Sequence, residues 1–94
     1  MDNKLQKLRK KVEKIDYKII NLIGERQKLA PQFASVKRKM GLALHQQQRE
    51  NELLKKYEEL GKKSNISSNL IRKLFPLLFH DSLKRQRQHL KKKD

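Results

Sequence analysis

The chain has no cysteine, so neither a disulfide framework nor thiolate chemistry is open to it. Tryptophan is absent and aromatic residues make up only 5% of the sequence, with three Gly and two Pro. Such a composition is poor material for sheets and good material for helices. No stretch approaches the roughly eighteen consecutive apolar residues of a membrane span. The opening segment, Met1 to Gln6, has no continuous apolar signal region, so export is not expected. Ninety-four residues allow at most one small domain, read as 1–94 with residues 91–94 forming a disordered basic tail. These absences predict an all-α, metal-free, cytoplasmic protein.

Acids are also scarce. Ten Asp and Glu face 25 Lys and Arg, a formal net charge of +15. That excess attracts polyanions, so nucleic acid has to be weighed as a partner. Yet the basic residues are spread along the chain and often stand beside acids, as in Glu13-Lys14 and Lys55-Lys56-Tyr57-Glu58-Glu59. This pattern reads as solvated helix surface. Only Lys84 to Lys93 is basic without a balancing acid. Zinc-finger spacing, a Gly-rich phosphate loop and aromatic-basic RNA signatures are missing. The three histidines, His45, His80 and His89, are too scattered to form a metal site.

What the sequence does contain is helical periodicity. Leu5, Leu8, Val12, Ile15, Ile19, Leu22, Leu29, Phe33, Val36 and Met40 recur three and four apart. That is the spacing a helix needs to bury one stripe against another helix. The seam position between Leu22 and Leu29 is Arg26, and an unpaired guanidinium there costs several kcal/mol. A buried acid such as Glu50 or Glu52, or an anionic ligand, is expected to meet it.

Three helices follow from this reading. The first runs from about Leu5 to Met40 and ends at Gly41, a suitable C-terminal cap residue. The second spans about Gln46 to Leu60 and stops at Gly61. Ser64-Asn65 or Ser67-Ser68 caps the start of the third, which reaches about Leu90. Pro31 and Pro76 fall inside helices, where an interior proline costs about 3 kcal/mol or more. Because the seam continues in phase beyond Pro31, a kink is expected there rather than a break. A helix of this length spans roughly 54 Å, against about 30 Å for a compact domain of this size. An intertwined homodimer with long helices packed antiparallel would cover the overshooting seam.

Polar residues then mark a pocket. Lys37 lies eleven residues after Arg26, about 20° from alignment on an ideal helix. Arg9 points roughly 100° away, toward a different surface such as the matching site of a two-fold partner. Ser82 and Gln86 continue the stripe of Ile71, Phe75 and Leu78 on the third helix, and Arg49 and Glu50 precede the apolar run of the second.

Taken together, Leu8-Arg9, Ile15-Asp16, Glu25-Arg26, Lys37, Arg49-Glu50-Asn51-Glu52-Leu53-Leu54, Leu74-Phe75 and Asp81-Ser82-X-X-X-Gln86 resemble the all-helical chorismate mutases in their small bacterial single-domain form. The resemblance covers Leu8 to about Leu90. It implies conversion of chorismate to prephenate by a [3,3] rearrangement, in phenylalanine and tyrosine synthesis, without cofactor, metal or covalent intermediate. Arg26 and the partner copy's Arg9 would each pair with a substrate carboxylate, and Ser82 would add a hydrogen bond to one. Glu50 would accept from the ring hydroxyl, with Arg49 orienting it. Lys37 and Gln86 would donate to the ether oxygen, where negative charge grows. Gln46, where many members carry Asp, would contact substrate at the start of the second helix, and Pro31 departs from the family's smooth first helix.

Two other readings stay open at this level. The same fold suits enzymes acting on isochorismate or aminodeoxychorismate. A basic helical dimer binding nucleic acid with a vestigial pocket is the rival from another class.

Overall fold

A computed structural model describes residues 2–93, with side chains over residues 3–92. The chain is an all-α bundle of three helices, the first of them interrupted, giving the segments α1 (Asp2–Gln27), α2 (Ala30–Met40), α3 (Gln47–Lys63) and α4 (Ser68–Lys93). α4 packs against both α2 and α3 and is the centre of the fold.

The interruption lies at Lys28–Leu29 and has its cause in Pro31, which sits in the first turn of α2. Proline lacks the N–H that would continue the helical ladder to the Gln27 carbonyl. Helical bonding resumes at once, with Phe33 N–H donating to the Leu29 carbonyl at 3.1 Å. The expected kink is therefore a two-residue gap, at which Leu29 keeps helical dihedrals (φ −77°, ψ −13°). Pro76 stands inside α4 without ending it. Its neighbour Phe75 is held between the rings of Tyr57 (centroids 4.6 Å apart) and Phe79 (6.2 Å), contacts that offset the lost hydrogen bond.

The helix ends follow local chemistry. Gly41 takes a left-handed conformation (φ 68°), and Leu42 N–H donates to the Lys37 carbonyl at 2.8 Å, closing a Schellman motif as expected of this glycine. α3 does not stop at Gly61. It runs two residues further, and Asn65 (φ 59°) supplies its left-handed cap, with Ile66 N–H donating to the Gly61 carbonyl at 2.8 Å. Gly61 is instead a buried packing position. A Cβ there would lie 3.2 Å from Ile71 Cγ1 and 3.3 Å from the Ile66 carbonyl oxygen. Ser67, rather than Ser64 or Asn65, caps α4, its hydroxyl accepting from Leu70 N–H at 3.1 Å. Residues 91–93 continue α4 where a disordered tail was expected, and Asp94 lies outside the described residues.

Burial is concentrated in one place. Ala30, Ala34, Ile71, Phe79 and Leu83 form the apolar core, joined by two buried amides, Gln27 and Gln86. The face turned to α4 is thus Gln27 at the end of α1 with Ala30 and Ala34 of α2, whose small alanines let the helices approach closely. The long seam is a different face. Every apolar seam residue from Leu5 to Met40 is exposed, Leu22 at 62% and Phe33 at 54%. A second bare apolar stripe, Leu70, Leu74 and Leu77, lies on α4. The chain measures 60 × 29 × 15 Å, with a radius of gyration of 17.3 Å. A compact chain of this length has about 12 Å. α1 projects from the bundle with residues 3–22 exposed. No described helix is long and apolar enough to cross a membrane.

Candidate active site

Where α2, α3 and α4 meet, a pocket of about 440 Å³ opens. That size suits a small organic ligand. α1, α2 and the gap between them contribute Arg26, Leu29, Phe33 and Lys37, and the loop before α3 adds Leu44 and Gln46. Arg49, Glu50, Leu53 and Tyr57 come from α3, and Phe79, Ser82, Leu83 and Gln86 from α4. Seven of the eight residues singled out from the sequence are therefore brought together. The exception is Arg9, which stands exposed on the projecting part of α1, outside this pocket.

Lys37 is the most constrained cation. Its Nζ donates to the Leu44 carbonyl at 2.7 Å and to Gln86 Oε1 at 3.0 Å, and lies 5.8 Å from the centre of the Phe33 ring. Burial pushes its pKa below the ordinary lysine value, and the Glu50 carboxylate partly opposes that shift. Gln86 is buried and its amide orientation is dictated by this ammonium. With Oε1 facing Lys37, Nε2 is left to donate to Ser82 Oγ at 3.2 Å. Accepting that bond leaves the Ser82 hydroxyl proton free for a ligand. The sequence reading had both Lys37 and Gln86 donating into the pocket. The structure instead has them donating in series, Lys37 to Gln86 and Gln86 to Ser82.

Arg26 is half-buried and, among the described residues, no carboxylate pairs with it. Its Nη1 donates to Gln27 Oε1 at 2.6 Å and its guanidinium lies 5.5 Å from the Phe79 ring centre. Among the described residues, the buried acid expected as one alternative for this seam arginine does not meet it.

Glu50 and Arg49 differ from expectation. Arg49 is exposed and pairs with Glu52 (3.8 Å), one turn along α3. The group beside Glu50 is His45, whose Nε2 lies 3.5 Å from Oε2. His45, not Arg49, is the side chain beside the Glu50 carboxylate.

Two residues escaped the sequence reading in these roles. His45 carried no signal beyond its place in the loop between helices. Gln27 carried a weak one: Gln27, Ala30, Ala34 and Lys37 repeat at 3-4-3 spacing beside the more conspicuous apolar seam. Its Nε2 donates to the Leu78 carbonyl and to Asp81 Oδ2, both at 2.9 Å. The Gln27 hydrogen bond, with lesser help from Arg85 and Lys84, holds the Asp81 carboxyl below its usual pKa.

The pocket thus presents three cationic side chains, one carboxylate and a hydroxyl–amide pair on an apolar floor, chemistry suited to a small polar anion. Comparison with known families decides what this arrangement belongs to: residues 8–87 match the family described as chorismate mutase type II. The chain belongs to that family. It is 34% identical to the chorismate mutase of Methanocaldococcus jannaschii over 90 residues, covering 96% of this chain and 91% of that one. It is 36% identical to the bifunctional chorismate mutase/prephenate dehydratase of Buchnera aphidicola from Schizaphis graminum, over 96% of this chain and 23% of the relative. The bifunctional relative from Escherichia coli K12 is 33% identical over 97% of this chain and 25% of its own length. The chain therefore spans nearly all of the archaeal chorismate mutase and about a quarter of the bifunctional relatives.

Proposed function

We propose that this chain is a chorismate mutase, catalysing the [3,3] rearrangement of chorismate to prephenate. One observation carries the reading: Arg26, Lys37, Glu50, Ser82 and Gln86, drawn from different helices, line a single pocket. In the reaction the ether C–O bond breaks while a C–C bond forms, and no proton or electron leaves the molecule. The protein's task is to hold the reactive conformer and to stabilise charge on the departing oxygen.

Arg26 binds one substrate carboxylate, using guanidinium N–H groups beyond the one committed to Gln27. Ser82 donates its free hydroxyl proton to a carboxylate. Glu50 accepts from the ring hydroxyl, and Arg49 swings from Glu52 toward the same end of the ligand. Gln46 contacts the ligand at the start of α3. Lys37 donates to the ether oxygen. Gln86 turns its NH₂ from Ser82 to the same atom, while its carbonyl keeps hold of Lys37. Preorganised donors of this kind are typically worth about 3 kcal/mol each.

The working unit in this reading is a homodimer. Two apolar stripes are bare on the isolated chain, the α1–α2 seam and the Leu70, Leu74, Leu77 stripe. Antiparallel pairing of two chains would cover both and carry Arg9 of the partner subunit to the second carboxylate. The test is loss of chorismate absorbance with purified protein at neutral pH, beside Lys37→Ala. Turnover that falls by about two orders of magnitude or more in the variant supports the reading. No turnover with chorismate, but turnover with isochorismate or aminodeoxychorismate, moves the reading to those substrates.

A further inference from the structure

Gln27 is buried to 2% exposure and sits outside the set of groups that meet the ligand. A buried primary amide has to satisfy two N–H donors and a carbonyl, and this one does so completely. Both donors go to α4, to the Leu78 carbonyl and to Asp81 Oδ2, each at 2.9 Å. That leaves Oε1 a single direction, toward Arg26 Nη1 at 2.6 Å. The reverse orientation would set an NH₂ against a guanidinium and a carbonyl against a carboxylate. The amide is therefore locked, and its carbonyl is an acceptor aimed at a pocket cation.

The connection crosses the gap in the first helix. Arg26 stands in the last turn of α1, just before the two residues that interrupt the backbone ladder. Backbone bonds do cross the gap, Lys28 N–H to the Gly24 carbonyl at 3.0 Å and Leu29 N–H to the Arg26 carbonyl at 3.2 Å, but they hold the helix to itself and not to α4. Gln27 ties it by its side chain to α4, the element that also carries Ser82 and Gln86.

We infer that Gln27 is a positioning residue, a buried amide that fixes the Arg26 guanidinium relative to α4 for binding a substrate carboxylate. The inference deepens the chorismate mutase reading and rests on it for the identity of the ligand. Asp81, anchored on its outer side by Arg85 at 2.8 Å, is the far end of the same relay. Losing a hydrogen bond to a charged group at a binding site costs about tenfold or more in affinity.

The experiment has two arms on the full chain. In the free protein, Arg26 Nη–H signals are followed by NMR in wild type and Gln27→Met, a variant of similar size without the amide. Rotation about the Arg26 Nε–Cζ bond is expected to be slow in wild type and fast in the variant. In turnover, Gln27→Met is expected to raise KM for chorismate about tenfold, with kcat within about threefold of wild type. A merely structural role would lower Tm and the active fraction, and therefore apparent kcat, while leaving KM in place. Asp81→Ala is the second variant, used alone if Gln27→Met does not fold. Asp81 is half-exposed, so water can replace its carboxylate at Gln27 Nε2, and both Arg26 rotation and KM should shift the same way by a smaller factor. Unchanged rotation in a folded variant overturns the inference, and so does loosened rotation with unchanged KM. Absence of turnover in wild type itself strikes the chorismate reading instead, while the rotation arm still reports on Gln27.

Discussion

Lys37 Nζ donates to Gln86 Oε1 across 3.0 Å, joining α2 to α4 inside the pocket. The pair links fold to chemistry. The ammonium fixes which way the amide faces, and the amide carries the pull of that charge on to Ser82. Because Gln86 has no proton to lose, the pair keeps its hydrogen-bonding sense across ordinary pH.

The pH dependence of turnover follows from that pair. Gln86 donates without being protonated, so activity is expected to hold through neutrality with no requirement for acid. The limit lies on the alkaline side. Lys37 has its pKa lowered by burial, so the charged, donating form is lost at a pH below the ordinary lysine value of 10.5. A kcat profile flat through neutral pH and falling in the alkaline range, with that limb gone from the residual rate of Lys37→Ala, is the expected result.

Gln86→Glu should invert the profile. As a carboxylate, the new side chain would accept from Lys37 but place negative charge beside the departing ether oxygen. Only its protonated form donates. Activity at pH 7 is expected to drop by about two orders of magnitude and to recover on acidification. Rates compared at pH 5 and pH 7.5 check this, and an unchanged ratio between them would count against the donor role of Gln86.

Mixing subunits probes the two-chain site. Arg9→Ala and Lys37→Ala are each expected to be nearly inactive. In a heterodimer of the two, one site regains both an intact Lys37 and the partner's Arg9. Random exchange should restore about a quarter of wild-type activity. Activity that stays at the level of the single variants would mean that Arg9 does not serve the opposite site. Ile15→Glu, on the bare seam, is expected to shift the protein from dimer to monomer by light scattering.

Gly61→Ala tests the packing of α3 on α4. Alanine would gain about 1 kcal/mol of helix propensity over glycine. Its Cβ, however, would lie 3.2 Å from Ile71 Cγ1 and 3.3 Å from the carbonyl oxygen of Ile66, a residue whose N–H is bonded within the cap. Overpacking costs about 1–3 kcal/mol, so a net loss of about 1 kcal/mol and a lower Tm are expected. A raised Tm by calorimetry would show that the cap yields.

Helix content, the Gly41 cap and the pocket residues Arg26, Lys37, Arg49, Glu50, Ser82 and Gln86 were legible from local spacing, whereas Gln46 was found only through the family resemblance. An apolar repeat in phase with 3.6 residues forces a helical face, and residues on one helix keep their angular relation whatever surrounds them. The same spacing misled at Gly61, since a glycine after an apolar run looks like a stop and here is a close contact. It misled at Arg49, whose exposed side chain finds Glu52 one turn away while His45 reaches Glu50 across the loop. Neither contact is written in any one helix.

By itself, the sequence determined an all-helical chain, a long apolar seam too extended for one small domain, and an arginine in that seam with chemistry suited to an anion. Those properties follow from periodicity and composition, which act within a few residues. Only the tertiary structure decided that the first helix meets α4 through Gln27, Ala30 and Ala34, leaving the seam bare. It also decided that Gln27 answers Arg26, and that Lys37, Gln86 and Ser82 form one hydrogen-bonded series. These depend on which of two adjacent helical faces is buried. Close approach of small side chains and full satisfaction of buried amides settled that choice between helices far apart in the chain.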